Sequence, residues 1–235
     1  MVVSIKNRSL LLLSILSLSL FTVSCGMPTV TYLNPPKMVL NTTVLRVENN
    51  PSNFELSEGS TQAYRGIEIF YRIYQDPILA GSVASTLATY IGQYQNDPNG
   101  YIDLATGSAY KFVRLRYSES YSGTPLIPLS ADDANGYYIQ LFPSQLIDWQ
   151  LTDAAGNPLG TTDKSTIIRS LLTSNSSTSF FNKNFMPGDE DYSGNAGSSS
   201  DTYYIAFFAV SYGNDSTTIG LPVYSLPEEI NYVAY

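Results

Sequence analysis

Asp189, Asp191 and Ser193, followed by Gly194, are the residues of this chain best spaced for chemistry. Calcium takes several carboxylate and carbonyl oxygens, and a glycine permits the sharp turn that gathers them. The stretch GDEDYSGNAGSSSD (188–201) therefore opens like a calcium loop, D-x-D-x-S-G. Its twelfth position holds Ser200 where a glutamate belongs, with Asp201 one place later. Two readings stand: a weak calcium site on Asp189, Asp191, Ser193 and Asp201, or a solvated acidic loop with no cofactor. The other acidic pairs are Asp132-Asp133 and Glu228-Glu229. Strand neighbours point to opposite faces, so neither pair makes a natural catalytic dyad. A carboxylate hydrolase is left with Asp189 and Asp191 as its nominal acids.

Other chemistries are excluded by what is missing. The chain has no histidine, which removes the commonest general base and the commonest metal ligand. It has no nucleophile elbow, no phosphate-binding glycine loop and no metal-spaced cluster. Its formal net charge is −8, which argues against nucleic acid and against a peripheral grip on anionic lipid. Tyrosine is abundant, at 19 residues. Most of these suit core and cross-strand packing. Tyr117 with Tyr121, and Tyr137 with Tyr138, are candidate binding clusters, since tyrosine gives contact area at low entropy cost.

The only cysteine is Cys25. Lys6 and Arg8 precede fifteen uncharged residues, 9–23, rich in Leu, Ile, Val, Phe and Ser, and Thr22-Val23-Ser24 lead into Cys25 and Gly26. Positive, then apolar, then small is the order of a signal peptide. The run is shorter than the roughly 18–20 apolar residues of a membrane span. A buried structural thiol does not suit a residue that abuts a cleaved segment. A free N-terminal thiol is a liability in an oxidising compartment. Acylation removes that liability and anchors the protein, at about 0.8 kcal/mol per buried CH₂. Loss of residues 1–24 also takes Lys6 and Arg8, so the mature chain is two units more negative. Residues 26–31 reach about 20 Å when extended, which places a domain starting at 32 close to the membrane.

The elements that must position these residues are mostly strands. In AYRGIEIFYRIYQ (63–75), Ile67, Ile69, Tyr71 and Ile73 lie on one face, and Glu68, Phe70, Arg72 and Tyr74 on the other. That strict alternation is the strand signature. Leu45 and Val47 alternate with Arg46 and Glu48, after a first edge strand that tolerates Pro35 and Pro36. The period then changes. Asp76 as N-cap and Pro77 at the first position open a helix over 77–95, carried by Leu79, Val83, Leu87, Tyr90, Ile91 and Tyr94. Asp97-Pro98-Asn99-Gly100 stops it, leaving a loop at 97–108. Residues 109–120 and 136–143 alternate again, and 148–160 reads as strand and turn. The segment 163–174 is ambiguous between strand and short helix. Residues 173–200 are rich in Ser, Asn and Gly and read as a mobile loop. Tyr203 to Val210 is apolar on both faces, as in a central strand, and 218–230 reads as one last strand interrupted by Pro222 and Pro227.

Two resemblances follow. YRGIEIFYRIYQ resembles the third strand of a fibronectin type III domain, and DTYYIAFFAVSYGNDST with LPVYSLPEEI resembles its last two strands. The resemblance implies an Ig-like antiparallel sandwich, covering about 32–75 and 202–232 and elaborated by the helix and by long loops between about 76 and 200. The family's usual tryptophan on the second strand is absent. TVSCG resembles a relaxed lipobox of the spirochaete type, with Thr22 where Leu is usual. That resemblance implies diacylglyceryl attachment at Cys25, and the chain as a whole looks like uncharacterised spirochaete lipoproteins.

The expected protein is thus mainly β, with a signal peptide at 1–24, a lipidated cysteine and tether at 25–31, and one sandwich-like domain at 32–235. It is expected to be exported, lipid-anchored and non-enzymatic. Its role is to bind a protein or glycan partner, or to serve the envelope structurally; the alternatives are the hydrolase and a solute-binding lipoprotein. Partner contacts are expected on the inserted helix and on the loops at 97–108 and 173–201. Because 186–200 has few apolar residues, its deletion is expected to leave the domain folded.

Overall fold

The alternation at 63–75 becomes a long strand with both faces covered. The structure, a computed structural model, describes residues 32–40, 44–57, 62–117, 125–129, 136–140, 151–152, 155, 167–169, 178–179, 185–196, 201–215 and 220–234. Cys25 and the signal and tether segments, Tyr121, Asp132 and Asp133 lie outside the described residues. The chain divides into Met1–Thr31 and Tyr32–Tyr235, and only the second unit contains described residues.

In chain order the first strands are β1 (Lys37–Leu40), β2 (Val44–Glu48) and β3 (Gln62–Tyr74), followed by helices α1 (Pro77–Ile91) and α2 (Pro98–Thr106). Short strands follow: β4 (Val113–Arg114), β5 (Arg116–Tyr117), β6 (Ile127–Pro128), β7 (Tyr137–Gln140), β8 (Leu151–Thr152), β9 (Ile167–Arg169), β10 (Thr178–Ser179) and β11 (Tyr192–Ser193). The long β12 (Tyr204–Asp215), β13 (Leu221–Tyr224) and β14 (Asn231–Ala234) close the chain. The segment that was ambiguous between helix and strand is therefore a strand at Ile167–Arg169.

β3 and β12 pair antiparallel along their full length and form the spine of the largest sheet. β13 and β14 share the far edge of β12, so the expected single last strand is two, separated by the Pro227 stretch. On the other edge, β3 takes β4, β6 and the parallel β11. A second sheet runs β1-β2-β7-β8, all antiparallel, and a third runs β10-β9-β5. At Leu115, whose N–H donates to Ile69 O at 2.7 Å, the chain passes from the large sheet to the third one.

The layers follow from the two faces of the spine. Ile67, Ile69, Tyr71, Ile205 and Phe207 pack against Leu45, Val47 and Ile139 of the second sheet. Phe70, Tyr74, Ala206, Phe208 and Val210 pack instead against Ala80, Leu87, Tyr101 and Ala105 of the helices. The result is mainly β, two sheets face to face, with a helical layer over the outer face of the larger one. The stretches that carry the fibronectin-like resemblance lie side by side as β3, β12 and β13.

Local signals explain the helices. The Asp76 side chain accepts from the Ile78 N–H, and Pro77 occupies the first turn, as the sequence predicts. α1 stops at Ile91, short of 95, in a run of turns anchored on Tyr90 O. The expected loop at 97–108 is instead α2. Asp97 accepts from the Gly100 N–H at 2.9 Å, with Pro98 at the first turn, so the same Asp-Pro signature that opens α1 opens α2. A stop signal and a start signal share these residues.

β3 carries one bulge. Tyr212 pairs with Gly66 and Gly213 with Tyr64, leaving Arg65 as the extra residue. Gly66 has φ +146°, and a Cβ there would collide with Ile127 O of the neighbouring strand. Gly92 is right-handed helical with nothing within 4 Å of a Cβ. We expect Gly66→Ala to destabilise the domain by about 2 kcal/mol or more, and Gly92→Ala to stabilise it by about 0.4–1 kcal/mol. Urea unfolding of the two variants checks both signs.

Candidate functional site

Asp189 and Asp191, singled out for their spacing, converge on one side chain. Arg169, 1 % exposed, comes from the middle of the third sheet. Its Nε donates to Asp191 Oδ2 at 2.8 Å, and its Nη2 donates to Asp191 Oδ1 at 2.7 Å and to Asp189 Oδ2 at 2.9 Å. Asp191 Oδ2 also accepts from the Tyr71 hydroxyl at 2.7 Å, and Asp189 Oδ2 from the Met186 N–H at 3.0 Å. The guanidinium lies 4.2 Å from the centroid of the Phe185 ring. Burial alone pulls the Arg169 guanidinium down. The hydrogen bonds and charge of Asp191, with Asp189 adding to them, more than offset this and hold it up. Planar, bidentate pairing is what a guanidinium does best.

The backbone of the same segment is held from the other face of β3. Arg72 Nη1 donates to the carbonyls of Lys111 and Glu190, each at 2.7 Å, and Nη2 to the carbonyl of Tyr192 at 2.9 Å. The Ile73 N–H donates to Asp191 O and the Gln75 N–H to Ser193 O, which builds the parallel β11. Adjacent residues of β3 thus grip one segment from opposite sides, Tyr71 its carboxylate and Arg72 its carbonyls. Over its described part, 185–196, the expectation of a mobile loop is corrected here. Asp191 is 0 % exposed, and Phe185 and Tyr192 stack in the core with ring centroids 5.3 Å apart. Asp191 and Tyr192 lie within the stretch 186–200 that is expected to be dispensable, and both are buried.

These carboxylates face a cation already in place. A calcium ion on Asp189 and Asp191 would have to displace Arg169 from their oxygens. Ser193 lies in β11 and lends its carbonyl to the sheet. Asp201 accepts weakly from the Tyr203 hydroxyl at 3.4 Å. Among the described residues no group of three or more acidic or cysteine side chains is placed to hold a metal. The tyrosine clusters divide as strand alternation requires. Tyr137 is buried in the core and Tyr138 is half-buried with Arg46 near its ring, so the two do not share a face. Tyr117 lies in β5. Glu228 and Glu229 are exposed.

Sequence reasoning missed a cleft beside this network. Its volume is about 610 Å³, within the usual range for ligand sites. Phe70 and Arg72 form its floor from β3. Thr106 of α2, the run Lys111 to Arg116 except Leu115, Gly188 to Glu190, and Tyr192 form its walls. Only the floor comes from outside residues 106–192. The signal was present in the alternation of Lys111, Arg114 and Arg116 with apolar neighbours, which reads equally well as an ordinary solvated strand face.

Beside the cleft-lining Arg114 sits Glu68, 1 % exposed, with neither carboxylate oxygen hydrogen-bonded. Arg114 Nε stands 3.4 Å from its Oε2, while Arg114 Nη2 donates to the Tyr224 hydroxyl at 2.6 Å. Burial pushes the Glu68 carboxyl up to about 7, against the lowering pull of Arg114 and Arg116.

No family model matches the chain, and neither a curated protein nor a solved structure matches it.

Asp191→Ala leaves the Arg169 charge buried without its main partner, and we expect a loss of about 3–5 kcal/mol in chemical denaturation. Deletion of 186–200 then yields no folded domain. Glu68 is protonated more readily in the folded chain than in the unfolded one, where it titrates near 4.3. Its contribution is therefore complete at low pH and is lost as pH rises through about 7. Relative to Glu68→Gln, the wild-type protein should lose about 2–3 kcal/mol between pH 5 and pH 8. Parallel pH profiles for the two proteins would refute this.

Proposed function

We propose that the chain is an exported protein, anchored to the cell envelope by lipid on Cys25, and that its folded part binds a ligand rather than turning one over. The anchoring reading is supported by the lone cysteine directly after an apolar, uncharged run with a positive start. No helix among the described residues is long and apolar enough to cross a membrane. The binding reading rests on one observation above all, the cleft of about 610 Å³ beside β3. Its walls are fixed before any ligand arrives, because Arg72 ties Lys111 to Glu190 and Tyr192 through their carbonyls. Pre-formed walls reduce the entropy lost on binding. They come from the inserted region, where recognition residues on a rigid scaffold are expected. The cleft suits a small solute, or a protruding group of a protein or glycan.

The hydrolase reading has less support. Asp189 and Asp191 both spend oxygens on Arg169, and Asp191 is sealed from solvent. A general acid or base must reach the proton it transfers.

Cys25→Ala tests the anchor. The variant should carry no acyl label and should accumulate unprocessed or leave the membrane fraction. Undiminished label on that variant, still partitioning into detergent, would remove lipidation at this residue.

A further inference from the structure

The cleft has an unusual charge for this chain. Acidic residues outnumber basic ones 20 to 12, yet Arg72, Lys111, Arg114 and Arg116 all line this one cavity. Asp189 and Glu190 line it too. The Asp189 charge is already answered by Arg169, at 2.9 Å.

The four cations are not equivalent. Arg72 is spent on three backbone carbonyls. Arg114 is shared among Glu68, the Tyr224 hydroxyl and the face of Phe70. Lys111 and Arg116 are exposed, and neither makes an ion pair or side-chain hydrogen bond among the described residues. Among the described residues, Lys111 and Arg116 are therefore the two lining cations without such a partner, beside Arg72 and Arg114, which have several.

Lys111 is also held at a cost. It is the one non-glycine residue with positive φ among those described, at 54°. Its N–H donates to Gly107 O at 2.8 Å and its carbonyl accepts from Arg72 at 2.7 Å. A left-handed conformation is strained for lysine, and such strain gathers where a side chain must be aimed. A glycine at this position would hold the same backbone without strain.

We propose that the cleft binds an oxyanion, the phosphate or carboxylate group of a ligand, between Lys111 and Arg116, with Arg114 behind them. The proposal rests on the binding reading above and adds the ligand's chemistry. The guanidinium of Arg116 supplies a planar fork and Lys111 a point charge, a combination suited to either group. The same chemistry is presented by a free phosphate ion and by an acidic glycan.

The test is calorimetry on the full chain in detergent, with inorganic phosphate, an oligogalacturonate and a neutral oligosaccharide as probes. At least one of the two anions should bind, more weakly at higher salt. Phosphate binding alone identifies a free ion as the source, and oligogalacturonate binding an acidic glycan. Lys111→Gly and Arg116→Gln should each weaken that binding about tenfold or more. Lys111→Gly should do so with an unchanged or raised melting temperature, which separates lost recognition from lost folding. Failure of both anions to bind would overturn the proposal, as would anion binding indifferent to both variants. Binding of the neutral oligosaccharide alone, lost on blocking the cleft with a Thr106→Trp variant, would overturn the oxyanion while leaving the binding reading in place.

Discussion

Asp191 carries a carboxylate with no exposure to solvent, and such a charge persists only where it is matched by another charge and by hydrogen bonds. Arg169 and the Tyr71 hydroxyl supply both. The match has a topological consequence. Arg169 belongs to the third sheet, Tyr71 to the spine of the first, and Asp191 to the segment that becomes β11. One desolvated ion pair thereby fixes the third sheet, the large sheet and the edge of β3 in register with one another. An ion pair of this kind adds little net stability compared with an apolar substitute, but it penalises every arrangement that separates its members.

The cleft inherits its shape from that constraint. With Asp191 turned inward, the carbonyls of Glu190 and Tyr192 face the other side of β3, where Arg72 takes them. Arg72 also takes the carbonyl of Lys111. One guanidinium thus joins the two walls of the cleft to its floor. The charge is arranged in depth. The deeper arginines are satisfied by carbonyls, Glu68 and Tyr224, and the outer Lys111 and Arg116 are left to solvent. Glu68, buried beside Arg114, has its carboxyl pushed up to about 7 by that burial.

How much of this the sequence disclosed depended on whether a signal was local. The alternation at 63–75 located β3, and the two-sided apolar run from Tyr203 located β12, because strand periodicity is written in neighbouring residues. Asp76-Pro77 located α1 for the same reason. Asp97-Pro98 reads as a stop for α1, yet α1 has already ended at Ile91 and the tetrapeptide only begins α2. The region 185–196 was misread more deeply. Its composition is that of a solvated loop, and nothing within it announces that Asp191 has a partner 22 residues earlier in the chain, at Arg169. Asp189 and Asp191 stand out by spacing as a calcium site, whereas that spacing serves an ion pair and a parallel edge strand. The cleft was illegible because its floor and walls come from β3, α2, β4 and the 188–192 segment, which meet only in three dimensions.

Arg169 and Asp191 act as one unit. A double-mutant cycle with Arg169→Met and Asp191→Leu measures this directly in urea unfolding. Each single variant should lose several kcal/mol, since each leaves a buried charge without its counterpart. The double variant, with neither charge present, should be more stable than either single one. Losses that add to within about 0.5 kcal/mol would show that the two residues stabilise the fold independently, and would contradict the account.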